Sequence, residues 1–119
     1  GKVITTELLP EKCAVAQKNF EEAGLENFIE LREGDALQPL RHLDDSIDFL
    51  LMDGLNDLYL PLLQQLEPYF KDGTIIYTDN ASFKSAKPYL DYIYSRPEKY
   101  RSQRVVDDKG GSELTTVAA

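Results

Sequence analysis

The chain has no tryptophan, one cysteine, one histidine and one methionine in 119 residues, and each scarcity removes a class of protein. A lone Cys13 cannot form an intrachain disulfide, which fits a reducing compartment, so a cytoplasmic location is expected. One cysteine and one histidine, His42, do not make a zinc site. They also leave no Ser-His-Asp or Cys-His set to assemble. Basic residues are outnumbered, 13 against 21 acidic, for a net charge of −8. Those basic residues are scattered, which argues against a nucleic-acid partner, since phosphate binding needs clustered Lys and Arg. No apolar run approaches the roughly 18 residues that span a bilayer, and the first residues show no signal-peptide pattern. No membrane partner is expected.

What remains is an ordinary globular composition, 42% hydrophobic and 29% charged, with room for one domain over residues 1–119. Strand and helix patterns alternate along it. Val3 to Thr6 reads as a strand, and Pro10 suits the first turn of the helix that follows. Cys13, Ala16, Phe20 and Ala23 form one apolar stripe of that helix, which Gly24 ends. Cys13 on this stripe reads as a small buried hydrophobe rather than a reactive thiol. Phe28 to Arg32 is a second strand, and a short helix is expected over Ala36 to Leu43, with His42 as a surface or capping residue near its end. Ile47 to Met52 is nearly all apolar, as a strand covered on both faces should be.

Asp57 is placed to cap a helix from Leu58 to Leu66, with Leu58, Leu62, Leu63 and Leu66 facing inward. Pro68 and Gly73 bracket a turn into a strand from Thr74 to Thr78. A further helix is expected from Ser85 to Tyr94, where the spacing of Tyr89, Tyr92 and Tyr94 favours ordinary packing. The tail breaks the alternation. Tyr100 to Val106 and Glu113 to Val117 are both strand-like and are joined by a Gly-rich turn over residues 107–112. Repeated βα units followed by a hairpin predict an α/β sheet, mostly parallel, with one reversed strand.

Four acids stand where an apolar strand gives way to a turn: Glu7, Asp35, Asp53 and Asp79. Open parallel sheets bind ligands outside the carboxyl ends of their strands. Carboxylates there suit a cation, the hydroxyls of a nucleotide, or both.

The segments Val3–Lys12, Leu31–Leu37, Leu51–Tyr59 and Tyr77–Asn80, in that order, resemble the class I S-adenosylmethionine-dependent O-methyltransferases. The likeness is to the cation-dependent branch typified by catechol and caffeoyl-CoA O-methyltransferases. The resemblance implies a Rossmann-like sheet ending in an antiparallel hairpin, with S-adenosylmethionine and Mg²⁺ or a similar divalent cation as cofactors. The acceptor it implies is a small-molecule hydroxyl, and a homodimer is compatible with it. Glu7 then matches the acid that holds the donor's ribose hydroxyls. Asp35 matches the position near the adenine amino group, with Ala36 offering a backbone N–H. Asp53, Asp79 and Asn80 match the metal ligands, hard oxygen donors suited to such an ion, and Asp53 also borders the donor.

The chain departs from that pattern twice. Asn56 stands where the family carries a lysine that deprotonates the substrate, and an amide cannot take that proton at neutral pH. The Gly-rich loop after the family's first strand is absent, so the chain is expected to be the C-terminal portion of a longer protein, with its first βα unit missing. That missing strand would lie between the strands ending at Glu7 and Asp53, leaving both with open edges.

Two other classes compete. A phospho-receiver domain shares the length, the doubly wound fold, an Asp53-like acceptor followed by Leu60-Pro61, and a late Lys87-Pro88 pair. It needs two adjacent acids after its first strand, where Glu7 is followed by Leu8-Leu9, and its lysine ends a strand, where Lys87 opens a helix. The third reading is a non-catalytic methyltransferase-like scaffold, favoured by Asn56 and the missing loop.

Overall fold

The computed structural model describes residues 1–54, 56–79, 84–105 and 111–118. The chain divides into two compact units, Gly1–His42 and Leu43–Ala119.

The first unit is a single βαβ module. Strand β1 (Val3–Glu7) and strand β2 (Ile29–Glu33) run parallel, paired from Val3↔Ile29 to Glu7↔Glu33. Between them lies helix α1 (Pro10–Glu22), which starts on the proline without a side-chain cap. It ends as the sequence predicts. Gly24 takes φ +74°, and the Gly24 and Leu25 N–H groups bond the carbonyls of Glu21 and Phe20. That pair of bonds is the Schellman closure, which satisfies carbonyls the helix leaves open. Cys13 is buried, as expected, and its thiol donates to the Glu7 carbonyl at 3.5 Å. Burial, then the charges of Glu33, Glu7 and Glu11, push that thiol's pKa up, so it stays protonated and unreactive.

The short helix expected over residues 36–43 does not form. The segment is a run of turns held by Gln38 N–H to Asp35 O and Leu40 N–H to Ala36 O. Pro39 explains the difference, because it brings no N–H and disfavours helical dihedrals at the residue before it. Asp35 adds a competing bond, its Oδ1 accepting the Leu37 N–H at 3.0 Å.

The second unit is a four-stranded sheet with two helices. Its strands are β3 (Ile47–Met52), β4 (Phe70–Asp79), β5 (Tyr100–Val105) and β6 (Ser112–Val117), in the order β3-β4-β6-β5. β3 is parallel to β4, while β6 runs antiparallel to both β4 and β5. The predicted hairpin is therefore present, although most of its turn, residues 106–110, lies outside the described residues. Strand β4 also begins earlier than expected. Instead of a turn closing at Gly73, the strand starts at Phe70 and bulges. Pairing jumps from Ile47↔Phe70 to Phe49↔Ile75, and Gly73 at φ +92° permits the excursion. Thr74 pins it by donating to the Ile47 carbonyl at 2.6 Å and accepting from the Lys71 N–H at 2.9 Å.

Helices α2 (Tyr59–Leu66) and α3 (Lys87–Tyr94) supply six of the thirteen buried hydrophobic side chains among the described residues. Tyr59, Leu62, Leu63 and Leu66 of α2 are buried, as are Tyr89 and Ile93 of α3, together with Met52, Ile76, Tyr100 and Val117. Two expectations fail at the start of α2. Asp57 does not cap it, because a 3-10 turn over Asn56–Leu58 precedes the helix and puts Leu58 in the cap position. The helix consequently turns Tyr59 inward and leaves Leu58 half-buried. Helix α3 follows a similar 3-10 turn, Lys84–Ala86, and so starts two residues later than predicted.

The reading of β3 as covered on both faces also needs correction. Phe49 is 57% exposed and Leu51 56%. Alternate side chains of a strand point to opposite faces, and the covered face is the one carrying Met52 and, on β4, Thr74, Ile76 and Thr78. Thr78 meets α3 there through a 2.9 Å bond to the Tyr89 hydroxyl.

Candidate active site

In the first unit the parallel pairing brings two of the sequence-predicted acids to one end of the β1–β2 pair. Glu7 is the last residue of β1. The Gly34 N–H bonds the Glu7 carbonyl at 2.9 Å, so the chain turns just beyond β2 and delivers Asp35 beside that strand end. Gly34 makes the turn at φ +130°, a conformation other residues rarely adopt. Glu7 Oε1 accepts the Leu9 N–H at 3.3 Å. Asp35 serves its own turn through the bond to Leu37 described above, and Ala36 begins that turn.

In the second unit β3 and β4 end together, the last register pair being Met52↔Thr78. The next residues on the two strands are Asp53 and Asp79. Their side chains come within hydrogen-bonding reach of each other, and the Asp53 carboxyl is raised above its ordinary pKa by burial, then by the Asp79 charge and that contact. Two carboxylates held this close cannot both ionise without cost unless something positive joins them. Asp79 is further approached by Ser112 of β6, its register partner, whose hydroxyl donates to Oδ1 at 3.4 Å.

Among the described residues no three His, Cys, Asp or Glu side chains converge as a metal site. The third donor expected from the sequence is an amide, Asn80, which lies outside the described residues. The Asp53–Asp79 pair on its own suits a hard cation: both donors are carboxylate oxygens, and the repulsion between them is what a divalent ion relieves. Asn56 opens the 3-10 turn that follows Asp53.

A residue missed in the sequence joins this group. Tyr59, 1% exposed, donates its hydroxyl to the Asp79 carbonyl at 3.1 Å and stands 3.5 Å from the Gly54 carbonyl. Burial, then the charges of Asp53 and Asp79, push its pKa up to about 12, so it remains a neutral donor. The Tyr89 ring meets it edge-on, with centroids 5.8 Å apart.

Behind these strand ends β6 carries a fully buried carboxylate, Glu113. It accepts hydrogen bonds from Tyr94 and from Ser102, the latter at 2.5 Å, with Arg104 Nε at 3.4 Å. A buried polar group is kept without a large cost only when it is bonded in this way. Nothing in an alternating hairpin sequence marks it out.

The architecture defines a class first: a mixed α/β sheet of Rossmann-like methyltransferase type. An O-methyltransferase from Bacillus cereus, solved in complex with SAH, superimposes with a TM-score of 0.79 at 22% identity, over 98% of this chain and 63% of its own. The O-methyltransferase TomG from Streptomyces achromogenes, solved with SAM, gives 0.83 at 18% identity, over 100% and 63%. The family described as O-methyltransferase matches residues 1–91, and the chain belongs to it. A catechol O-methyltransferase from Niastella koreensis is 33% identical over 84 residues, 67% of this chain and 38% of that protein. The chain thus spans little more than a third of that relative. The phospho-receiver reading falls here, since a receiver sheet is parallel throughout and β6 lies antiparallel between β4 and β5.

Proposed function

We propose that the protein carrying this chain transfers a methyl group from S-adenosylmethionine to a hydroxyl oxygen of a small molecule, assisted by a divalent cation such as Mg²⁺. The observation that carries this reading is the convergence of Asp53 and Asp79 at the ends of adjacent parallel strands, with the Asp53 carboxyl pushed up by burial and then by its neighbour. SAH and SAM in two structures of the same fold support the choice of donor.

Asp53, Asp79 and Asn80 are the residues to hold the cation. When bound, it would act as a Lewis acid that makes the acceptor hydroxyl easier to deprotonate. Glu7 accepts the two ribose hydroxyls side by side, which a carboxylate does readily. Asp35 accepts from the adenine amino group, and Ala36 offers its N–H to the ring. Asn56 accepts no proton at neutral pH, so the hydroxyl proton leaves to another base or to water, and turnover is slow. That same asparagine favours a second reading, a scaffold that keeps the fold without the reaction.

Calorimetry of the intact protein with S-adenosylhomocysteine, with and without Mg²⁺, separates the two. Binding heat, together with methyl transfer that stops on chelation, is the expected result. Absence of heat in both conditions leaves the scaffold. Asp53→Ala should abolish cation-dependent transfer while circular dichroism stays unchanged, and Asn56→Lys should raise turnover.

A further inference from the structure

The Tyr59 hydroxyl reaches to the main chain at the strand ends that carry Asp53 and Asp79. The strong bond, 3.1 Å, goes to the carbonyl of Asp79 itself, while the 3.5 Å approach to Gly54 meets the residue directly after Asp53. A phenol has one proton, so the shorter contact takes it and the longer one bounds the position of the β3 loop. The ring is fixed from two sides. It opens helix α2 on the buried stripe with Leu62, Leu63 and Leu66, and the edge-on Tyr89 ring is itself tied to Thr78, the residue before Asp79. Helix α2 therefore braces two strand ends that pairing already sets side by side, and it does so through a single rigid side chain.

We infer that Tyr59 is a positioning residue that holds the strand ends carrying Asp53 and Asp79 in place for a divalent cation, an inference that rests on the cation reading above. Outer-shell hydrogen bonds of this kind orient ligands, and their loss typically weakens metal binding 10- to 100-fold. The bond falls on the Asp79 carbonyl rather than on a carboxylate oxygen, so the Tyr59 hydroxyl does not compete with an ion for the carboxylate.

The test is the affinity of the intact protein for Mn²⁺ alone, followed by the electron paramagnetic resonance signal of the free ion. Tyr59→Phe keeps the ring and its packing and removes only the hydroxyl. The matched control is Tyr100→Phe, which also removes a buried hydroxyl, one bonded to Glu67 at 2.5 Å. Tyr100 pairs with Val117, at the end of the hairpin away from the Asp79↔Ser112 pair.

Binding by the unaltered protein, about 10-fold weaker binding by Tyr59→Phe and unchanged binding by Tyr100→Phe are the expected results. Equal affinity of Tyr59→Phe and the unaltered protein overturns this inference and leaves the cation reading standing. Equal weakening in both variants overturns it as well, since a general loss of stability would then suffice. If the unaltered protein binds no Mn²⁺, both fail. Should Tyr59→Phe not fold, Tyr89→Phe unties the bracing ring from Thr78 while keeping that ring and the Tyr59 hydroxyl, and undiminished Mn²⁺ affinity in a folded Tyr89→Phe would overturn the rigid-support argument.

Discussion

The unit Gly1–His42 and the unit Leu43–Ala119 place candidate acids at strand ends by the same device and support them very differently. Among the described residues the first buries one hydrophobic side chain, Cys13, while the other core members, from Leu43 to Val117, belong to the second. Glu7 and Asp35 are set by main-chain bonds, chiefly Gly34 N–H to Glu7 O. Asp53 and Asp79 are set by main-chain pairing and backed by Tyr59 and Tyr89 from the core. Backbone register aligns the carboxylates in both units, and in the second a packed core lies directly behind them.

That contrast breaks most directly at Leu63, which is fully buried. Leu63→Ala should lower unfolding free energy by about 2–5 kcal/mol in urea titration. Val15→Ala in α1, where Val15 is 60% exposed, should stay within about 0.5 kcal/mol. Equal effects would erase the distinction between the units.

The next largest effect belongs to Glu67, which accepts from Tyr92 at 2.8 Å and Tyr100 at 2.5 Å and pairs with Lys99 at 3.3 Å. Burial pushes its carboxyl up, but the bonds from Tyr100 and Tyr92, then Lys99, outweigh that and leave it lowered. A lowered folded pKa contributes stability above the unfolded pKa and loses it as pH falls through the folded value. Glu67→Gln should therefore cost about 1–3 kcal/mol at pH 7, and the gap to the unaltered protein should close as pH drops below the ordinary carboxylate range.

A smaller change sharpens the comparison from the other side. Gly24→Ala forces a Cβ into φ +74° and should cost about 1 kcal/mol, with no steric clash to add, since a Cβ there meets nothing within 4 Å. Smallest of all, Asp53→Asn should stabilise the cation-free protein. Its raised pKa means the penalty is absent below the ordinary carboxylate range and develops as pH rises through the folded value. Because Asp53 is open to solvent, the gain at pH 7 should be below about 1 kcal/mol, and added Mg²⁺ should reverse the order of the two proteins.

Much of the architecture was legible because it rests on local rules. Pro10 and Gly24 mark the ends of α1, an apolar run marks β3, and the tail reads as a hairpin. The misreadings have local causes too. Pro39 vetoes a helix that the surrounding leucines suggest. The 3-10 turn at Asn56–Leu58 shifts the start of α2, so the inner stripe begins at Tyr59, although Tyr59, Leu62, Leu63 and Leu66 already show the i, i+3, i+4, i+7 spacing that would have revealed it.

The sequence by itself determined the order of strands and helices, the acids at the strand ends and the family they belong to, because these follow from periodicity, turn chemistry and motif. Tertiary structure alone decided that the Tyr59 hydroxyl would fall on the Asp79 carbonyl, that Glu113 would sit fully buried beneath Tyr94 and Ser102, and that Phe49 and Leu51 would stay exposed. Those outcomes depend on which face of a strand meets which helix, a long-range choice that no local pattern of residues encodes.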